Sequence, residues 1–148
     1  MKRGTLIVLA LLAVVATASA LASSKAPHAA SATKLTAFLT VNQSIPAPKG
    51  ARGTGTFTGT VTGTTIKWKL TFKGMTGAVG AAHVHSALAG RANPAPAVSL
   101  CGPCRSGQTG TSTASAAVIK KVLGGATYVN LHTTANGAGE IRGQIASG

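Results

Sequence analysis

Apolar and polar side chains alternate strictly along residues 64–73, and this pattern constrains the fold more than any other feature of the sequence. The apolar members are Ile66, Trp68, Leu70 and Phe72, and the polar members are Lys67, Lys69, Thr71 and Lys73. A period of two predicts a β-strand with one buried face and one face in water. Such a strand needs partner strands and a core to cover its apolar face, so we expect a sheet.

The same period recurs along the chain. Residues 34–41, 53–63, 128–132 and 140–145 all alternate in this way, and glycine-rich turns separate them. Only residues 116–123 have a helical pattern, and two glycines follow them as a stop signal. Many short strands with almost no helix indicate an all-β fold. We therefore predict an antiparallel β-sandwich of the Greek-key or immunoglobulin-like kind, with at most one short helix.

The N-terminal residues have the order of a secretory signal peptide. Lys2 and Arg3 precede an apolar run at residues 6–15, and small residues follow up to Ala20 and Ala22. The apolar run is shorter than the roughly 20 residues that span a bilayer. We expect residues 1–22 to be a signal peptide cleaved after Ala20 or Ala22, which predicts a secreted or cell-envelope protein with no transmembrane segment after cleavage.

The rest of the chain predicts one domain. Residues 23–33 are mostly Ala, Ser and Thr and predict a flexible tether, and residues 34–146 predict the folded domain. Removal of the leader with its two cations lowers the formal net charge from +13 to +11. A strongly basic surface attracts anionic cell-envelope polymers. The cations are scattered and aromatic residues are few, so nucleic acid is not the expected partner.

The near absence of acidic residues excludes several kinds of enzyme. The chain has one acidic side chain, Glu140. A carboxylate pair for glycoside hydrolysis, an aspartic protease dyad and a Ser-His-Asp triad are therefore impossible. Calcium and magnesium sites need several carboxylate oxygens. We expect no enzymatic activity of these kinds.

Three histidines are the candidate metal ligands. His83 and His85 are two residues apart, so on a strand they point to the same face, and His132 lies on a second predicted strand. Neutral imidazole suits copper and zinc, and three such ligands leave an open position for water. The alternative is a polar cluster without metal, in which these histidines bond to neighbouring side chains and Glu140 pairs with Arg142 or Arg91. The predicted members of the polar cluster are Tyr128, Asn130, Glu140 and Arg142.

Cys101 and Cys104 form a C-x-x-C motif. A structural disulfide, a redox-active dithiol and a pair of metal thiolates are all compatible with this spacing. No aromatic residue precedes Cys101 and no helix pattern follows Cys104, which argues against a thioredoxin-like site. In an exported protein the motif favours a local disulfide that closes a loop.

Three blocks of sequence resemble the CHRD (chordin) domain. They are Gly-Met-Thr-Gly with Ala-Ala-His-Val-His at residues 74–85, Tyr-Val-Asn-Leu-His-Thr at 128–133, and Asn-Gly-Ala-Gly-Glu-Ile-Arg-Gly-Gln at 136–144. The resemblance covers roughly residues 34–145. It implies a secreted all-β domain, and in animals the family name comes from extracellular proteins that bind growth factors.

The His-x-His strand is also faintly similar to copper/zinc superoxide dismutases. That similarity implies that His83, His85 and His132 are copper ligands, but the dismutase pattern needs more histidines and an aspartate for zinc. From the sequence we expect a non-enzymatic binding or structural module held by anionic polymers or an extracellular protein. The alternative is a small copper- or zinc-binding protein.

Overall fold

The structure is a computed structural model, and it describes residues 31–148. The predicted signal peptide and most of the predicted tether lie outside these residues. The described part contains nine β-strands, one α-helix and one 3-10 turn at Val41–Gln43. The strands are β1 (Thr33–Thr40), β2 (Thr54–Thr62), β3 (Thr65–Lys73), β4 (Val79–His85), β5 (Pro96–Cys101), β6 (Gln108–Thr113), β7 (Tyr128–Thr133), β8 (Ile141–Gln144) and β9 (Ala146–Ser147). The helix α1 spans Ala116–Leu123.

All strand pairs are antiparallel, and the strands join into one sheet. Its order is β5-β4-β7-β8-β1-β2-β3-β6, and the short β9 pairs with β1. The two edge strands approach each other, because Ser112 Oγ on β6 donates a 2.8 Å hydrogen bond to the carbonyl of Ser99 on β5. The sheet is therefore nearly closed into a barrel.

The core fills the interior of this sheet, and the alternation seen in the sequence places it there. On β3 the side chains of Ile66, Trp68 and Leu70 are buried while Lys67 and Lys69 are exposed. The indole Nε1 of Trp68 donates to Ser112 Oγ at 3.1 Å, which satisfies its one polar atom. Burial of apolar side chains of this size stabilises the fold by about 1.5–3 kcal/mol each.

The helix is the predicted one. Ser115 caps its N-terminus by accepting a hydrogen bond from the Val118 amide, and Ile119 and Val122 bury its apolar face. Gly124 follows its last residue, as the glycine stop signal predicted.

The structure confirms the all-β antiparallel class and the short helix. The division into two packed sheets with Greek-key connections stays a prediction. Strand pairing runs from Thr33 to Ser147, one residue beyond each predicted end of the domain. No helix in residues 31–148 is long and apolar enough to span a membrane.

Strands β4, β7 and β8 lie side by side and carry the candidate site. Their core-facing side chains are fully buried and apolar, and include Val84, Leu131 and Ile141. The opposite face of the same strands carries polar residues, so the alternation that builds the core also gathers the polar side chains on the other side.

Candidate metal centre

The pairing of β4 with β7 brings the three histidines to one face of the sheet. His83 and His85 alternate with buried Val84 on β4, and His132 lies opposite Ala81 of that strand. The ring centroids are 5.7 Å apart for His83 and His85, 5.1 Å for His83 and His132, and 5.9 Å for His85 and His132.

One nitrogen from each histidine converges on the same small volume. The three atoms lie within 4.8 Å of one another, so each is within about 2.8 Å of a common point. Metal–nitrogen bonds are about 2.0–2.1 Å long. Each imidazole would therefore have to move by less than about 1 Å to bind one ion.

Two loops fix the orientation of two of the rings. The Nδ1 atom of His85 lies 2.9 Å from the carbonyl oxygen of Asn93, in the loop between β4 and β5. The Nδ1 atom of His132 lies 2.9 Å from the carbonyl oxygen of Gly137, in the loop between β7 and β8. A carbonyl can only accept, so both Nδ1 atoms donate, and a neutral imidazole with its proton on Nδ1 carries a free lone pair on Nε2. Metal-binding histidines are commonly held in this way.

The free nitrogens are buried and have no partner in the protein. In residues 31–148 four buried side-chain polar atoms lack a hydrogen-bond partner, and two of them are Nε2 of His85 and Nε2 of His132. A third, Oδ1 of Asn130, lines the same cavity, while Thr127 Oγ1 does not. Because a buried polar atom without a partner is costly, these atoms are the ones that would gain most from a bound ligand or water molecule.

Burial also sets the charge state of His83 and His85. It lowers the pKa of His83, and repulsion from His132 lowers it further. Burial lowers the pKa of His85 as well, although its hydrogen bond to the Asn93 carbonyl partly opposes the shift. Both rings are therefore neutral at pH 7, which is the form that binds metal.

Tyr128 and Arg142 form one wall of the site. The rings of His85 and Tyr128 are stacked, with centroids 5.1 Å apart and planes 9° from parallel. The Arg142 guanidinium lies 3.5 Å from the Tyr128 ring centroid. The Tyr128 hydroxyl donates to the Asn93 carbonyl at 3.0 Å and accepts from the Asn93 amide at 3.2 Å. The tyrosine thus anchors the same loop residue that orients His85.

Asn130 occupies the centre of the polar face. It lies between His83 on β4 and Arg142 on β8, directly opposite both in the strand register. Its Nδ2 donates to the carbonyl of Ala138 at 3.1 Å. Gly139, with φ +124°, passes so close to the Asn130 side chain that a Cβ there would overlap it. The glycine is needed for this approach of backbone to side chain.

Glu140 is placed apart from the other members of the predicted polar cluster. It is fully buried, and its carboxylate accepts from the Thr76 amide at 2.7 Å, the Thr76 hydroxyl at 2.5 Å, the Thr133 hydroxyl at 2.7 Å and Asn136 Nδ2 at 2.9 Å. Burial raises its pKa, but these hydrogen bonds lower it more, so the net shift is downward. The expected partner Arg142 lies instead over Tyr128.

The sulfur atoms of Cys101 and Cys104 lie at disulfide distance, with the Cα atoms 5.2 Å apart. Cys104 is mostly buried, and its amide donates to the Val79 carbonyl at 2.9 Å, which ties the loop to the start of β4. A turn and strand β6 follow Cys104, so the helix N-terminus that lowers a thiol pKa in redox motifs is not formed there.

Sequence reasoning missed the groups that complete the site. The carbonyls of Asn93 and Gly137 orient two histidines. Every residue has a backbone carbonyl, so the sequence does not distinguish these two from the rest. The asparagine, proline and glycine residues of the two loops predict turns. They do not predict which carbonyl accepts a hydrogen bond from a histidine.

The chain matches the CHRD domain family over residues 35–145 and belongs to it. CHRD domains are typical of extracellular proteins. No curated protein and no solved structure matches the chain.

Proposed function

We propose that this protein is a secreted, non-enzymatic CHRD module that binds one copper or zinc ion through His83, His85 and His132. The observation that carries the proposal is the pair of buried Nε2 atoms on His85 and His132, which have free lone pairs and no partner in the protein. Their Nδ1 atoms are anchored on backbone carbonyls, so the rings are oriented before a ligand arrives.

The chemistry of the donors supports copper and zinc over other ions. Three neutral imidazoles suit these two metals, whereas calcium and magnesium prefer oxygen ligands. The carboxylate of Glu140 is occupied by its own hydrogen bonds and does not join the set. A three-histidine centre leaves room for one more ligand on the metal.

Calorimetric titration of the metal-free protein with copper and with zinc tests this proposal. We expect one ion per chain, and each of His83→Ala, His85→Ala and His132→Ala should weaken binding at least about tenfold, since each removes one ligand. The control is His28→Ala, which removes the chain's fourth histidine and should leave the isotherm unchanged. The same weak isotherm for wild type and all three site variants would show that there is no such centre.

A second candidate function is attachment to anionic envelope polymers, and the outer face of β1 to β3 favours it. Lys34, Lys67 and Lys69 are exposed there and line one shallow groove of about 750 Å³ together with threonine hydroxyls. Lys34 pairs with Thr60, which pairs with Lys67, so cations and hydroxyls alternate across the strands. The net charge of the whole chain has the same sign.

Salt dependence tests the attachment. Retention on an immobilised acidic polysaccharide should decrease steadily as sodium chloride rises, because the Debye length falls from about 10 Å at 0.1 M to about 3 Å at 1 M. Retention that does not change with salt would contradict an electrostatic attachment. Neutral agarose is the matched matrix control.

A further inference from the structure

Arg142 is a buried cation without an acidic partner. Its side chain is only 2% exposed. The whole sequence contains one acidic side chain, Glu140, and both oxygens of that carboxylate are taken by Thr76, Thr133 and Asn136. No other side chain of this protein can neutralise the guanidinium.

The contacts that Arg142 does make are neutral. Its Nη2 donates to the Leu88 carbonyl at 3.3 Å and to Gln144 Oε1 at 3.4 Å, both longer than a usual N–H···O hydrogen bond. Its third contact is the face of the Tyr128 ring. A guanidinium has five N–H donors, so two long bonds use little of its capacity.

Burial without a counter-charge is unfavourable, and it affects the arginine itself. Burial lowers the pKa of Arg142, and Tyr128 opposes that shift only in part. Buried charges in proteins are normally paired or bound to an ion. An anion from outside the chain would supply the missing counter-charge.

Arg142 lines two cavities with space for such an ion. Arg142 lines a cavity of about 190 Å³ together with His85, His132 and Asn130. It also lines a neighbouring cavity of about 280 Å³, beneath the loop that contains Gly90. The first cavity has room for several water molecules, because a single water needs only about 10–15 Å³ by a comparable measure.

We propose that the cavity shared by Arg142, His85, His132 and Asn130 binds a small oxyanion, such as carbonate, a short carboxylate or phosphate, on the guanidinium of Arg142. The planar fork of a guanidinium matches two oxygens of such an anion and forms two parallel hydrogen bonds. The anion site does not depend on the proposed metal. When a metal ion is also present, each ligand should strengthen binding of the other, because opposite charges then line one cavity and such coupling is reciprocal.

Titration of the metal-free, full-length protein with acetate, bicarbonate and phosphate tests the proposal, with sodium chloride at matched ionic strength as the reference. The readouts are the thermal midpoint and the Nε–Hε NMR signal of Arg142. We expect a saturable change for at least one oxyanion and no such change with chloride. A soluble polyuronate forms a further arm, and saturation by this polymer but by no free anion would overturn the proposal of a small free ligand.

Two variants and a control assign the site. Arg142→Gln should abolish saturation, and Arg142→Lys should weaken it at least about tenfold, because lysine keeps the charge but loses the fork. Arg91→Gln removes an exposed arginine from the loop that covers the site and should bind like wild type. Equal responses of wild type and all three variants would overturn the proposal. If Arg142→Gln does not fold, Arg142→Lys and the Arg142 NMR signal decide between these outcomes.

These results are separable from the metal proposal. Copper or zinc binding by a protein that shows no saturation with any oxyanion would leave the metal centre intact and remove the anion site. Saturation with an oxyanion in a protein that binds no metal would support the anion site and remove the metal centre.

Discussion

Two buried polar clusters lie on opposite faces of strand β7. Each cluster contains one of two adjacent residues of that strand, His132 or Thr133. His132 points to the face that carries the other histidines, and Thr133 points inward and donates to Glu140. Glu140 accepts four hydrogen bonds from its own chain, whereas the histidines keep two buried nitrogens without a partner. The polar atoms around Glu140 are satisfied within the protein, whereas two nitrogens of the histidine cluster have no partner there.

This difference matches a structural role for Glu140 and the binding role proposed for the histidines. A saturated carboxylate stabilises the fold, since the loops that carry Thr76 and Asn136 are tied to it. Oriented imidazoles with free lone pairs contribute little to stability by themselves. Substitutions in the two clusters should therefore have opposite profiles, with a large effect on folding in one and a large effect on binding in the other.

The largest effect on folding should come from Glu140→Ala. The substitution leaves the Thr76 amide, two hydroxyls and the Asn136 amide without their acceptor inside the protein. We expect a loss of about 3–4 kcal/mol in the free energy of unfolding, since hydrogen bonds to a charged group contribute about 1.5–3 kcal/mol each and are not additive.

Urea unfolding at pH 7 measures this loss. Thr134→Ala, at an exposed position next to the cluster, is the control and should change stability by less than about 0.5 kcal/mol. A loss below about 1 kcal/mol for Glu140→Ala would mean that the cluster is not structural.

The pH dependence of stability should separate the two clusters next. The pKa values of His83 and His85 are lowered in the fold, so below about pH 6.5 the unfolded chain binds protons that the folded protein does not, and stability falls. The pKa of Glu140 is also lowered, so its contribution is present above about pH 4.5 and is lost as the pH falls through the folded value. The metal-free protein should therefore lose stability in two windows.

Urea midpoints measured between about pH 3 and 8 give this profile. Because the chain has no second acidic side chain, the lower window depends mainly on Glu140, and Glu140→Gln should remove it. The double variant His83→Ala/His85→Ala should flatten the upper window and leave the lower one. A single window that neither variant changes would contradict the assignment.

The sequence predicts the structural features that depend on the local pattern of residues. Alternation placed Trp68 in the core, the glycine stop ended α1 at Leu123, and the i, i+2 spacing put His83 and His85 on one face. Burial and strand register follow from periods of two and 3.6 residues, which neighbouring residues display directly.

The partners of Glu140 could not be predicted in this way. Thr76 is 64 residues away in the chain, in a loop whose path only the finished fold determines. Opposite charge suggested Arg142 or Arg91, but a carboxylate surrounded by amide and hydroxyl donors has no need of a cation. The expectation that an acidic side chain pairs with a basic one fails here, because hydrogen bonds alone stabilise the charged carboxylate.

The smallest effect on folding should come from His83→Ala in the metal-free protein. The His83 ring is partly exposed and contacts the other two imidazoles edge-on or tilted. Partial burial and repulsion from His132 already disfavour its charged form. We expect a change of less than about 0.5 kcal/mol at pH 7. With copper or zinc at about 100 times the dissociation constant, wild type should gain about 2.7 kcal/mol and the variant much less, because a ligand stabilises only the state that binds it. Unfolding with and without metal measures both quantities. A large loss of free energy of unfolding in the metal-free variant would mean that the histidine cluster is structural, as the cluster around Glu140 is expected to be.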